Sequence, residues 1–287
     1  MGQFWVQINT GTASFIVTSS ILPNTEFPQF ASERLAAWDA AGGLPFEPVS
    51  GDWQMASGHD DAAYKRLSTT IDLTGASSAS LEFATSYAIE TDWDYLIVEA
   101  HTVGADDWTT LPDSNGNTTQ DTGQSCLAGW VNLLHPFLAR YMDAACNPTG
   151  TTGAWHAATG ASSGIENWSI DLTAWAGAEV EVSISYVTDF AAGDLGVFLD
   201  DVAVTIDGSP AVATSFEDGL GPFTIPGPPP GSAPNNSDWM RVGILFGVSS
   251  MIATEDTLLF GFGFEGISTA DERNEVMARS LEHLLGE

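Results

Sequence analysis

Two adjacent acids, Asp200 and Asp201, interrupt an otherwise apolar run from Val197 to Ile206. If Phe198, Val202 and Val204 face a core, the two-residue period of a strand points Asp200 the same way. A carboxylate there needs a partner, because an unpaired charge out of water is very costly. Only seven residues of the chain are Lys or Arg. A bound metal ion is therefore a candidate partner for Asp200, and backbone N–H donors are the alternative. A second cluster, Glu90, Asp92, Trp93, Asp94 and Tyr95, reads either as a further cation site or ligand rim, or as a strand entry whose aromatic rings complete the core.

Three other patterns invite chemistry. Cys126 and Cys146, twenty positions apart in a loop-like region, are expected to form a disulfide, with free thiols as the alternative. They lack the additional Cys or His spacing of a zinc site. Gly160-Ala161-Ser162-Ser163-Gly164 matches the Gly-x-Ser-x-Gly nucleophile pattern, which has meaning only between a buried strand and a helix. No helical run follows it, so Ser162 is read as an ordinary loop residue. Among the ten tryptophans, Trp108, Trp130, Trp155 and Trp175 lie in or near loops. Their rings could stack on sugars from a binding rim, or anchor loops and core.

The elements that must position these residues are mostly strands. Val180, Val182, Ile184 and Tyr186 alternate with Glu179, Glu181, Ser183 and Ser185, the mark of a strand with one buried face. Similar readings hold for Trp53 to Met55, Tyr64 to Leu73, Leu81 to Ile89, Tyr95 to Val103, Trp108 to Leu111 and Trp168 to Leu172, with Thr214 to Glu217 and Phe223 to Ile225 flanking Asp218-Gly219. Ahead of them, Phe4 to Ile8 and Ser14 to Val17 read as strands around Asn9-Thr10-Gly11, followed by a proline-rich connection with a short helical turn at Ser32 to Trp38. Residues 113–166 form an irregular insertion with one expected helix, His135 to Ala144, entered through Pro136. After the rigid proline-rich stretch ending near Trp239, Thr257 to Phe264 reads as a strand. Thr269 and Glu272 have the spacing of a capping box, and Val276, Met277, Leu281, Leu284 and Leu285 place a stripe along the helix they open. The fold expected is mainly β, a sandwich with a small C-terminal strand-helix appendage.

The chain has 287 residues, 44% of them apolar, enough for a real core. Its net charge of −31 argues against nucleic acid or an anionic membrane surface as partners. Abundant acid and a single lysine, Lys65, fit an exported bacterial protein or a salt-adapted one. No run of eighteen apolar residues exists to span a bilayer, and the amino terminus lacks the pattern of a signal peptide. Either the chain is cytoplasmic, or it is a piece of a longer exported protein.

The ordered strings SYAIETDWDYLIVEAHTVGADDWTTLPDSNGNT, WSIDLTAWAGAEVEVSISYVTDFAAGDLGVFLDDVAV and TSFEDGLGPFT resemble the jelly-roll accessory domain of secreted immune inhibitor A metallopeptidases, a MAM-like β-sandwich. With FGFEGISTADERNEVMARSLEHLL at the end, they are similar to the carboxyl-terminal region of long secreted zinc carboxypeptidases. The resemblance covers roughly residues 24 to 287. It implies a structural Ca²⁺ between Asp200 and Glu217, with Asp201 and Asp218 as secondary ligands, since calcium takes several hard oxygen donors. A zinc carboxypeptidase needs His-x-x-Glu plus a distant His. None of the five histidines has Glu three positions on, and His-Glu-x-x-His is also absent.

These readings imply an accessory region without catalytic residues of its own. It comprises an N-terminal strand and linker segment (1–23), a jelly-roll sandwich (24–242) carrying the 113–166 insertion, and an appendage (243–287). The expected partner is a peptidase catalytic domain in the same or a neighbouring chain, with polysaccharide or protein as substrate, and the expected location is extracellular. The alternative is an independent carbohydrate-binding module using a rim of Asp92, Trp93, Asp94, Trp108 and Trp130.

Overall fold

The computed structural model describes residues 47–243, with strand residues 4–5, 16–17, 251–254 and 257–260 and helical residues 273–274, 276–278 and 280–281. The chain divides into two compact units, Ala36–Val242 and the combination of Met1–Leu35 with Gly243–Glu287.

The first unit is an antiparallel sandwich, as the alternation implied. One sheet has the order β12-β3-β10-β5-β8, with β11 also paired to β10. Its strands are β3 (Trp53–Ala56), β5 (Ala79–Ala88), β8 (Glu166–Asp171), β10 (Gly196–Ile206), β11 (Ser209–Thr214) and β12 (Met240–Gly243). The other sheet runs β4-β9-β6-β7, from β4 (Tyr64–Asp72), β9 (Glu179–Val187), β6 (Tyr95–Thr102) and β7 (Thr109–Thr110). Between the sheets lie Leu67 and Ile71, Leu81 and Phe83, Leu96 and Val98, Val180, Val182 and Ile184, and Leu199, Val202 and Val204. Each set follows the two-residue period except the last, where β10 changes phase.

That change is a β-bulge. Against β5, Asp200 pairs with Ala84 but Ala203 pairs with Glu82, so one extra residue enters β10. Asp201 takes a φ of +47° there. A one-residue slip exchanges the two faces of a strand. Val197 and Leu199 therefore share the inter-sheet core with Val202 and Val204, while Phe198 packs on the opposite face with Ala56, Ala88 and Val242. The shared inward direction expected for Phe198, Asp200, Val202 and Val204 is corrected: Asp200 lies on the Phe198 side.

The 113–166 insertion forms a third layer. Cys126, Trp130, Val131, Phe137, Leu138, Tyr141, Met142 and Trp155 pack on Tyr64, Tyr95, Ile97 and Val187, on the outer face of the four-stranded sheet. The helix expected from His135 to Ala144 is instead a π-helical turn, Trp130–Leu134, followed by a 3₁₀ turn, Pro136–Arg140. Pro136, lacking an N–H, occupies the first position of the second turn, where that absence costs nothing. The disulfide Cys126–Cys146 is formed and closes the layer. The strand expected at Thr214 to Glu217 is replaced by a β10–β11 hairpin over Asp207-Gly208, both with positive φ, as a tight two-residue hairpin requires.

In the second unit, β1 (Phe4–Trp5) pairs with β2 (Ile16–Val17), and β13 (Met251–Thr254) with β14 (Thr257–Phe260), all antiparallel. Val276 is buried in the C-terminal helix, whereas Met277 and Leu281 of the same expected stripe are about half exposed. The Asn9-Thr10-Gly11 turn, the helical turn at 32–38, the Thr269–Glu272 capping box, Leu284 and Leu285 lie outside the described residues. No helix among the described residues is long and apolar enough to cross a membrane.

Candidate functional site

Asp200 is buried, 1% exposed, beneath the segment that enters the sandwich. Its Oδ2 accepts the N–H groups of Val49 (2.7 Å) and Ser50 (3.0 Å), and its Oδ1 that of Asp201 (2.7 Å). Burial raises its pKa despite these bonds. Glu217 Oε1 accepts from Asp52 N (3.0 Å) and Trp53 N (2.8 Å), and Ser50 Oγ donates to Asp201 Oδ1 (2.6 Å). Asp201 and Asp218 are exposed. Asp201, Glu217 and Asp218 line a surface groove of about 590 Å³, together with Ser50, Thr214 and Ser215. The four acids expected as calcium ligands are neighbours, but no three of them bring ligating oxygens within 4.8 Å of one another.

Among the described residues, one group of three or more ligating side chains does converge. It comprises Glu90, Asp94 and Asp189, whose carboxylate oxygens lie within 4.8 Å of one another. Strand pairing explains the meeting. Asp94 immediately precedes β6 and Asp189 follows β9, and these antiparallel neighbours pair Tyr95 with Val187. Glu90 joins them through a turn in which its carbonyl accepts from Asp94 N (2.9 Å), Trp93 N (3.2 Å) and Thr159 Oγ1 (3.2 Å).

Asp94 is 0% exposed. It accepts from Tyr186 OH at Oδ2 (2.7 Å) and from Asp189 N at Oδ1 (3.2 Å). Burial pushes its carboxyl up to about 6, although both hydrogen bonds favour the charged form. Burial and the Asp189 charge also raise the Glu90 pKa. Glu90 Oε2 is buried without a hydrogen-bond partner, and so is Nδ1 of His59, whose Nε2 lies 2.9 Å from Asp61 Oδ1. An orphaned buried carboxylate oxygen beside two buried acids fits a hard cation, which would supply the missing positive charge. Asp189 has no local signal in the sequence beyond being an acid in the turn-rich gap after β9.

The expected rim is divided. Asp92 and Trp93 are partly exposed, and Asp92 donates its N–H to Thr159 Oγ1 (2.9 Å). Trp108 is 8% exposed and stacks on His101 with ring centroids 3.9 Å apart. Trp130 is 0% exposed, and its Nε1 donates to Thr188 O (2.9 Å). Trp155 and Trp175 are also buried. The insertion that carries Trp130 and Trp155 buries its own aromatic residues against the sheet, and neither ring offers a face for a sugar.

Ser162 is buried too, and its Oγ accepts from Tyr87 N (3.0 Å), so it is not poised as a nucleophile. His59, His101 and His135 are engaged separately. His101 Nδ1 lies 2.8 Å from Ala105 O, and His135 is held between Ser232 Oγ (2.9 Å) and Thr188 O (3.0 Å). His283 lies outside the described residues. Three buried acids, Glu99, Asp113 and Asp189, escaped the sequence reading. Glu99 accepts from Tyr64 OH (2.7 Å) and Tyr141 OH (2.6 Å) at Oε2 and from Ser185 Oγ (2.8 Å) at Oε1. Its place on the outer face of β6 reads as solvated until the insertion covers it.

Residues 45–143 match the family model described as Immune inhibitor A-like, MAM domain. The chain is 26% identical over 181 residues to the pre-pro-metalloprotease PrtV of Vibrio cholerae serotype O1, which covers 63% of this chain and 16% of that protein. It is 27% identical over 162 residues to immune inhibitor A of Bacillus thuringiensis subsp. alesti, covering 56% of this chain and 18% of that protein. The chain therefore spans less than a fifth of the length of either relative. The comparisons bear out the resemblance read from the sequence, to an immune inhibitor A-like accessory region of metallopeptidases.

Proposed function

We propose that this chain is a non-catalytic accessory module of an exported metallopeptidase of zinc carboxypeptidase-like type. Its work is to stabilise or position a catalytic domain, or to hold that domain near a macromolecular substrate. The sandwich unit and the 243–287 appendage act as parts of one such region. A structural calcium ion is held by Glu90, Asp94 and Asp189.

The observation that carries this reading is the chemistry of the one convergent donor group among the described residues. It is made of carboxylate oxygens alone. Hard oxygen donors suit calcium, whereas catalytic zinc sites use histidine nitrogen with a carboxylate and keep a position for water. The ion would neutralise three acids at the junction of β6 and β9 and satisfy Glu90 Oε2.

Two measurements test it. The purified chain supplied with zinc is expected to show no turnover of protein or carboxypeptidase substrates, and robust turnover refutes the accessory role. Calcium is expected to raise the melting temperature, because a ligand bound only by the folded form adds about 2.7 kcal/mol at one hundred times its Kd. Asp94→Asn should abolish that rise. A wild-type melting temperature indifferent to calcium removes the metal from the proposal.

A further inference from the structure

We propose that Asp200 and Glu217 form a clasp for the strap over residues 49–53, with backbone N–H groups standing where the resemblance would put a calcium ion. This inference does not rest on the calcium assigned to Glu90, Asp94 and Asp189.

The strap presents its amides in two consecutive pairs. Val49 and Ser50 donate to one oxygen of Asp200, and Asp52 and Trp53 donate to one oxygen of Glu217. Gly51 separates the pairs with a φ of +62°, and a Cβ at this position would collide with the Glu217 carboxylate. Glycine supplies both the left-handed turn and the close approach. Successive N–H groups aimed at one oxygen make the concavity in which proteins bind anions. Here the anions are the protein's own side chains.

The far end of the strap is held from the other side. The Arg241 guanidinium lies 3.8 Å from the centre of the Trp53 ring and donates to the carbonyls of Phe216 and Glu217. This seats Trp53 and the Glu217 turn against one another. The β10 bulge matters equally, because it turns Asp200 out of the inter-sheet core to the face that the strap crosses.

A calcium ion in this corner would need the same lone pairs that the strap amides occupy, and would face the positive ends of four N–H dipoles. Calcium demands six to eight oxygens. The donors present do not fit that demand: Asp200, Asp201, Glu217 and Asp218 furnish no three-oxygen group within 4.8 Å. The strap thus does by hydrogen bonding what a cation does by charge, satisfying a buried carboxylate.

Peptide-level hydrogen exchange on the whole chain tests this. In the wild type, exchange over residues 49–53 is expected to be the same in excess calcium and in a strong chelator. Glu217→Ala, which removes the acceptor, should speed exchange at Asp52 and Trp53 at least tenfold, leaving β9 amides unchanged. Asp200→Ala should do the same at Val49 and Ser50. Should that buried variant fail to fold, Glu217→Ala, at a partly exposed site, still decides. Chelator-induced exchange of the wild-type strap matching that of Glu217→Ala would overturn the clasp, as would unchanged exchange in Glu217→Ala. Calcium binding to Glu90, Asp94 and Asp189 is read separately, at the amides around residues 90–94 and 189–191.

Discussion

His135 should make the stability of this protein fall in mild acid. Its ring is 0% exposed. Nε2–H donates to Thr188 O while Nδ1 accepts from Ser232 Oγ, and Tyr64 and Trp130 meet the ring edgewise with centroids 5.5 and 5.8 Å away. The neutral ring is satisfied on both nitrogens, and burial lowers its pKa to about 4, with the Thr188 bond only partly opposing. An unfolded chain takes up the proton near pH 6.5. The unfolded state therefore binds more protons between these values, and stability rises with pH across that window. The contribution is complete above about pH 6.5 and is lost as pH falls toward about 4. A separation of about 2.5 pH units at about 1.4 kcal/mol each gives ~3 kcal/mol.

The assay is denaturant unfolding of the wild type and of His135→Gln at a series of pH values between about 7 and 4. Many carboxylates also titrate in this range, so the quantity read is the difference between the two curves. His135→Gln is expected to be less stable at neutral pH, and the gap should close by ~3 kcal/mol as the pH falls. Parallel curves would refute the reasoning, because they would mean that the buried ring takes up its proton without cost. Trp130 shares the Thr188 carbonyl with His135, so tryptophan fluorescence should report loosening of the insertion layer first.

Removal of the disulfide by Cys126→Ser with Cys146→Ser frees a loop with a sequence separation of 20. It should cost about 3 kcal/mol, or a melting temperature lower by about 10 °C for a unit of this size; an unchanged melting temperature in calorimetry would contradict this. At the Glu99 hub, Glu99→Leu strands the hydroxyls of Tyr64, Tyr141 and Ser185 and should cost at least ~3 kcal/mol, while Glu99→Gln, which keeps an acceptor, should cost clearly less. Equal losses in denaturant unfolding would show that the acceptor is immaterial.

The strands of the sandwich were legible because alternation is local. Val180 to Tyr186 and Leu96 to Ala100 each carry a buried face that neighbouring residues alone reveal. The disulfide and the acidic turn Glu90–Asp94 were legible for the same reason, as residue types at a spacing. The Asp207-Gly208 hairpin is also written locally, as two turn residues between two strands.

What the sequence could not show is set by chain segments meeting from afar. Asp189 joins Glu90 and Asp94 only because β9 pairs with β6. Trp130 and Trp155 lose their possible ligand faces, and Glu99 its solvent, only when the insertion folds over the outer sheet. The direction of Asp200 turned on a single extra residue in β10, which exchanges one face of a strand for the other. Periodicity fixes which residues share a face. Only tertiary pairing decides what that face meets, and whether a buried acid is answered by an ion or by an amide.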